Sequence, residues 1–212
     1  MLASVDFSNF DPGKSGSGNG SKIPFLRFEE GKTYRIRPLA EAVMFYKIFI
    51  EKGKPSLVIA AADKDSASKI VAEYTGKEVK ASPRYAMFVI DRADAQVKIL
   101  EGGYQIFEAF ALWTKGTQIQ PGSGQAGDWM INVEGNGVSG SNPRRYTTGF
   151  LATKPFSEDE KTTLKKMKAD GLLKLGNFFK ETPVDQIIAK LSGKTEGESE
   201  TSAGIDDADL KW

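Results

Sequence analysis

Val43-Met44-Phe45-Tyr46-Lys47-Ile48-Phe49-Ile50 is the stretch whose reading decides the fold. It is rich in β-branched and aromatic side chains and holds no glycine or proline, which predicts a β-strand. Alternation sends Met44, Tyr46, Ile48 and Ile50 to one face, and Val43, Phe45, Lys47 and Phe49 to the other. The first set is ordinary core. The second mixes rings with an ammonium, which a core disfavours and a platform for stacking bases would use.

Upstream, Thr33-Tyr34-Arg35-Ile36-Arg37 alternates in the same way, with both arginines on one face, and Pro38 ends the run. Downstream, Lys52-Gly53-Lys54-Pro55 is a turn and residues 56–60 form a short strand. Asp63 to Tyr74 reads as a helix with Ile70, Val71 and Tyr74 as its apolar stripe and Gly76 as its stop. Arg84 to Ile90 is a buried strand, Asp91 to Ala95 its turn, and Gln96 to Leu100 pairs back. Ile106, Phe107, Phe110 and Trp113 fall at the spacing of a short helix. Two further strands, Asp128–Val133 and Arg144–Leu151, are set off by glycine-rich loops at 116–128 and 135–143.

The C-terminal part of the body is helical. Ser157-Glu158-Asp159-Glu160 is a capping box for a helix running to about Ala169, with a stop near Gly171. Thr182-Pro183 opens another, with Val184, Ile187, Ile188 and Leu191 inward and Gly193 at its end. Short strands with bent, glycine-rich joins fit a small closed or half-closed barrel better than a doubly wound sheet. The expected class is therefore mainly β with α additions, the folded body covering residues 23–193.

Both termini differ from that body. Residues 1–22 combine a small apolar pattern (Leu2, Val5, Phe7, Phe10) with a Gly/Ser linker. They read either as an arm that docks on a neighbouring copy or as unstructured chain. Residues 195–212, TEGESETSAGIDDADLKW, carry six acids and one base. Removing these from the chain's 28 acids and 29 bases leaves 22 acids against 28 bases in residues 1–194. A near-neutral protein is thus a basic body tethered to an acidic segment, from about residue 194 onward, that cannot bury enough apolar surface to fold. Asp206, Asp207 and Asp209 precede an apolar tip, Leu210 and Trp212 around Lys211, suited to covering a cationic groove or to engaging a partner protein. The plainer reading is a solubilising terminus.

Composition narrows the chemistry. With no cysteine and no histidine, disulfides, Cys/His zinc sites, Ser-His-Asp and Cys-His catalysis fall away. The N-terminus lacks a basic start and an apolar h-region, and no apolar run approaches the ~18 residues of a membrane span, so a soluble protein that stays in the cytoplasm is expected. Gly122-Ser123-Gly124-Gln125-Ala126-Gly127 matches G-x-G-x-x-G by letter, but a strand rather than a helix follows it. Gly13-Lys14-Ser15 mimics the end of a P-loop without its first glycine, since Ser8 stands there. Asp63/Asp65 and Asp91/Asp94 fall at a helix start and in a turn, where Asp is favoured locally. No cofactor or metal is called for.

The basic-aromatic sets are more informative. Arg35 and Arg37 share a face, Lys47 lies between Phe45 and Phe49, Arg84 adjoins Tyr85, and Arg144-Arg145 adjoin Tyr146. Lys and Arg neutralise phosphates, while rings stack on bases at ~1–3 kcal/mol each. Such pairings make sense together on single-stranded nucleic acid, whose base faces are open, with Trp113 as a further stacking ring. Against this stands the reading of each ring as core and each base as a solvated strand edge. Trp129 is assigned to the core by its strand setting. A binding module for protein or carbohydrate is the alternative class. An enzyme would have only carboxylates, lysines and tyrosines to work with.

The order of segments resembles the single-stranded DNA-binding proteins of tailed phages, the helix-destabilising type of the T-even phages. The likeness runs over roughly residues 24–191: Gly31 to Pro38, Ile90-Asp91 followed by Val97 to Leu100, Gly103 to Phe107, Gly127 to Ile131, Arg145-Tyr146, and Pro155-Phe156-Ser157. The resemblance implies a five-stranded OB-fold, a basic cleft for a few nucleotides, and an acidic C-terminal segment that contacts replication and recombination proteins. Two departures matter. The zinc subdomain of that family has no Cys or His here, its place being taken by the Asp63–Tyr74 helix. Residues 1–11 hold no base, so the family's route to cooperative binding by its N-terminal arm is missing, and self-association of a monomer on DNA would need another contact.

Overall fold

A computed structural model describes residues 23–50, 56–123, 126–135, 143–153 and 155–192. Seven strands form one antiparallel sheet: β1 (Thr33–Pro38), β2 (Val43–Ile48), β3 (Leu57–Ile59), β4 (Ser82–Asp91), β5 (Val97–Gly102), β6 (Gly127–Glu134) and β7 (Arg145–Thr153). Among the described residues, four α-helices accompany them: α1 (Lys64–Thr75), α2 (Tyr104–Thr117), α3 (Glu158–Ala169) and α4 (Ile187–Leu191). The N-terminal arm, the turn at 52–55, most of the 135–143 loop and the acidic C-terminal segment lie outside the described residues.

The sheet is organised by β4. One edge pairs with β5, Tyr85 opposite Gly102 through Ile90 opposite Val97. The other edge is shared: β2 pairs with its first half and β1 with its last three residues. Leu39 N–H donates to the Phe88 carbonyl at 2.9 Å in the gap between β1 and β2. β3 lies on β2, β6 on the far edge of β1, and β7 on β6. Pro24–Leu26 covers the free edge of β5 through two 2.8 Å backbone bonds to Ile99. The chain then crosses to β6, where Gly31 N–H reaches the Val133 carbonyl at 3.0 Å. The sheet does not close, so the expected barrel is not formed among the described residues.

β4 explains why Ala86-Met87-Phe88-Val89-Ile90 is a continuous apolar run: both its faces are buried. Met87 and Val89 join Ile36, Leu100, Trp129 and Ile131 beneath Ile106, Phe107 and Phe110 of α2. Phe88 and Ile90 join Phe45, Val97 and Ile99 beneath Met167 of α3, Leu175 and Phe179. A third core seats Ile48, Leu57 and Ile59 against Ala67 and Val71 of α1 and Ile187 of α4. Each such aliphatic or aromatic side chain contributes about 1.5–3 kcal/mol when fully buried.

The expected β2 faces are therefore partly reversed. Met44 is exposed, whereas Phe45 and Lys47 are buried, because the segment after α3 packs over the face that the sequence left open. The second C-terminal helix is also shorter than expected: a 3-10 turn at Val184–Gln186 precedes α4, and Ile188 faces solvent. α2 is longer, running a further turn past Trp113. Gly127 is required by close approach, since a Cβ there would stand 1.7 Å from the Ala152 carbonyl oxygen of β7.

Candidate nucleic-acid interface

The six bases expected to hold phosphates separate into two groups with different fates. Lys47, Arg84 and Arg37 are buried. Lys47 Nζ donates to Glu101 Oε1 at 2.7 Å, and Arg84 Nε lies 3.7 Å from the same oxygen. Burial pulls the Lys47 ammonium below its ordinary pKa, with the Glu101 carboxylate opposing the shift. Arg37 lies 4.1 Å over the Phe156 ring; burial lowers its pKa, and Glu160 and Asp128 counter that. As placed, Arg37 and Lys47 cannot reach a polyanion in solution.

Arg35, Arg144 and Arg145 are the group that reaches water. Arg35 keeps 41 % of its side-chain surface exposed while Nη2 sits 3.2 Å from Asp128 Oδ2. Arg145 is exposed on β7 opposite Glu134, and Arg144 is half-buried beside it. The strand register carries Arg35 and Arg145 onto one face of the sheet, with Arg144 just ahead of β7. Arg35 opposes Met130 of β6, which opposes Gly149 of β7, and Arg145 lies four residues along β7 from there, about 13 Å at 3.3 Å per residue. Thr33, Asn132 and Thr147 lie along the strip, with Thr33 Oγ1 donating to Asn132 Oδ1 at 2.8 Å.

Beneath the strip sits an ion cluster that the sequence did not reveal. Arg92, in the β4–β5 turn, donates to Asp128 at 2.8–3.3 Å and to Glu160 Oε1 at 2.5 Å. Both carboxylates are buried, and Glu160 also closes the α3 capping box with Ser157. Buried charges persist only when paired in this way. Nothing local marks Arg92, Asp128 or Glu160 as partners, because β6 and α3 lie far along the chain.

The expected stacking rings turn inward more than the sequence suggested. Phe45 stacks on Phe179 with centroids 4.3 Å apart, which makes it core rather than platform. Tyr85 stacks on Phe107, Tyr146 leans on Phe28, and Trp113 sits between Trp129 and Phe150. These three and Phe49 are half-buried, so each keeps an accessible portion. Trp129 is core, as its strand setting indicates. Three exposed rings were missed: Tyr104 at the start of α2, Phe150 on β7, and Tyr74, which was expected in the apolar stripe of α1. Tyr104 follows Gly102-Gly103 and opens an amphipathic pattern, which is the signal that could have marked it.

The G-x-G-x-x-G lookalike has a packing role at both ends: Gly122 abuts the Ala40 backbone, and Gly127 abuts β7. Asp91 and Asp94 both pair with Lys98, at 2.8 and 2.6 Å. Among the described residues, no group of three or more acids is placed to hold a metal ion, and no helix is long and apolar enough to cross a membrane. No protein-family model matches the chain, and no curated protein or solved structure matches it significantly.

Proposed function

We propose that this protein binds single-stranded DNA without strong sequence preference, as a non-enzymatic coat during phage DNA replication, recombination and repair. The observation that carries the reading is the strip on β1, β6 and β7, where Arg35 and Arg145 stay solvent-accessible with Thr33, Asn132 and Thr147 between them, and a third accessible base, Arg144, immediately precedes β7. A row of cations and hydroxyl or amide groups on a sheet follows a flexible phosphate backbone and reads little sequence. The shared β1/β2 edge of β4 and the packing of α2 over the open side support an OB-type architecture whose barrel is incomplete. The acidic segment at 195–212 competes with DNA for the basic body, and its Leu210/Trp212 tip recruits replication and recombination proteins.

Titration of intrinsic Trp fluorescence with oligo-dT tests this. Binding to oligo-dT exceeds binding to duplex, and log affinity falls by roughly 0.7 per neutralised phosphate per decade of salt. Arg35→Ala and Arg145→Ala each weaken binding and make the salt slope shallower. Equal affinity for duplex and single strand, or variants indistinguishable from wild type, would overturn the reading.

The inward packing of Tyr85, Trp113 and Tyr146 favours a second reading, a protein- or carbohydrate-binding module whose bases are merely solvated. A gel shift with single-stranded oligonucleotides separates the two.

A further inference from the structure

We propose that the outer edge of β7 is a self-pairing interface, at which two copies of this chain join antiparallel and their sheets become one. The pairing does not depend on the DNA-binding function, but it has a consequence for it.

Three strands, β3, β5 and β7, have a single neighbour in the sheet, and the chain covers two of their outer edges itself. Pro24–Leu26 lies along β5, bonded to Ile99 at 2.8 Å in both directions. Thr182 N–H donates to the Val58 carbonyl of β3 at 2.7 Å. Among the described residues, nothing pairs with the outer edge of β7. An open edge is usually blunted by a lysine, a proline or an inward charge. β7 has none of these between Tyr146 and Ala152, a run of hydroxyl, glycine and apolar residues. Its bulge at Leu151 leaves Arg145–Phe150 as the regular stretch.

The occupant that fits this stretch is a second copy, because the stretch complements itself. Arg145, Thr147 and Gly149 share the face of the strip, whereas Tyr146, Thr148 and Phe150 share the α2 face. A twofold axis normal to the sheet pairs residues of the same face. Centred on Thr148, it sets Tyr146 opposite the partner's Phe150 and Thr147 opposite the partner's Gly149. Cross-strand aromatic pairs and Thr–Thr pairs are favourable. Phe150 is 36 % exposed and Tyr146 is half-buried, so both rings have surface left to cover. Thr148 Oγ1 is buried and makes no hydrogen bond in the single chain, and the partner's Thr148 would supply one. Charge agrees with this register. Arg145 stands opposite the partner's Leu151, six residues from the partner's Arg145, so the two guanidinium-bearing positions lie about 20 Å apart, beyond the ~8 Å screening length at physiological salt.

Such an axis leaves both strips on the same face of the joined sheet. From β1 of one copy to β1 of the other there are five strand spacings, about 24 Å at ~4.8 Å each. Arg35 and Arg145 of one copy and their equivalents then border one continuous track. Three accessible bases at the strip of a single chain are few for a protein that coats DNA, and the pairing doubles them.

Sedimentation of the full chain without DNA gives the first test. A mass near twice the 23.1 kDa of one chain is expected at tens of micromolar, and a monomer throughout overturns the interface. A monomer that dimerises only once residues 195–212 are deleted assigns the edge to that segment and overturns it as well. Two variants then locate the contact. Phe150→Lys puts a charge on the edge and should weaken self-association tenfold or more. Because Phe150 also stacks on Trp113, its melting temperature is measured alongside, and a second variant reads the edge by a gain of signal. The chain has no cysteine, so Thr148→Cys introduces a single thiol beside the axis. Mild oxidation should trap it as a covalent dimer, whereas Lys69→Cys, exposed on α1, should stay monomeric under the same treatment. Loss of the dimer in F150K at unchanged melting temperature, or trapping of T148C alone, supports the edge. A wild-type dimer that shows neither uses another surface and overturns the proposal. Oligo-dT separates the two readings: a wild-type dimer that fails to bind it leaves the interface standing and overturns the DNA-binding function alone.

Discussion

At the scale of single residues, the buried ion pairs decide which bases are available to a ligand. Glu101 neutralises Lys47 and approaches Arg84, so Glu101→Ala would leave two uncompensated cations in the core. The expected loss is about 3–5 kcal/mol in urea denaturation, the range for breaking a buried pair from one side. Lys47→Met also breaks the pair from one side, but Arg84 Nε remains 3.7 Å from the buried Glu101, so a loss smaller than that of Glu101→Ala is expected. It should also leave oligo-dT affinity unchanged, since Lys47 is buried. pH provides a signed check. Burial lowers the Lys47 pKa from 10.5, so the folded protein binds that proton less tightly than the unfolded chain does. Wild-type stability should then rise relative to K47M as pH climbs toward 10.5, and a difference that falls instead would contradict the buried placement. The alternation at Phe45 and Lys47 was legible in the sequence. Their burial was not, because Phe179 and Glu101 are contributed from distant parts of the chain.

At the scale of elements, α3 shows what a local signal can and cannot reveal. The Ser157/Glu160 box is written in the sequence and is present in the structure. The second job of Glu160, holding Arg92 at the sheet edge, depends on a residue 68 positions away. The two jobs separate by mutation: Ser157→Ala should cost about 1 kcal/mol as a lost cap, and Glu160→Ala about 3–5 kcal/mol because Arg92 loses a buried partner as well. Thermal unfolding of both variants checks the ratio. Gly127→Ala should cost more than 1–3 kcal/mol, since backbone stands where the methyl would go and β6 would have to part from β7. Strand existence was readable throughout from alternation and turn residues. The faces of β2 were not, because the cover over Phe45 and Lys47 comes from Phe179, far along the chain, while Met44 is left exposed.

At the scale of the whole molecule, charge distribution sets the behaviour that solution experiments will see. Residues 1–194 carry six more bases than acids, and residues 195–212 carry five more acids than bases. Deleting 195–212 should tighten oligo-dT binding at low salt, and the gain should fade as salt rises. A truncation that changes nothing would leave partner recruitment as the segment's role. The mainly antiparallel sheet with added helices was foreseeable from the order of strand and helix signals. Its failure to close was not, because closure depends on how far β7 curves and on how α2 packs against it.

One pairing has a consequence in time. Thr33 of β1 meets Asn132 of β6 across 99 residues. Most of the polypeptide must therefore leave the ribosome before β1 finds its outer neighbour, while β4, with both its faces apolar, is already waiting. Nucleation should begin in the β4–β5 hairpin, and docking of β6 should come late. Long-range pairings of this kind place refolding toward milliseconds to seconds rather than microseconds.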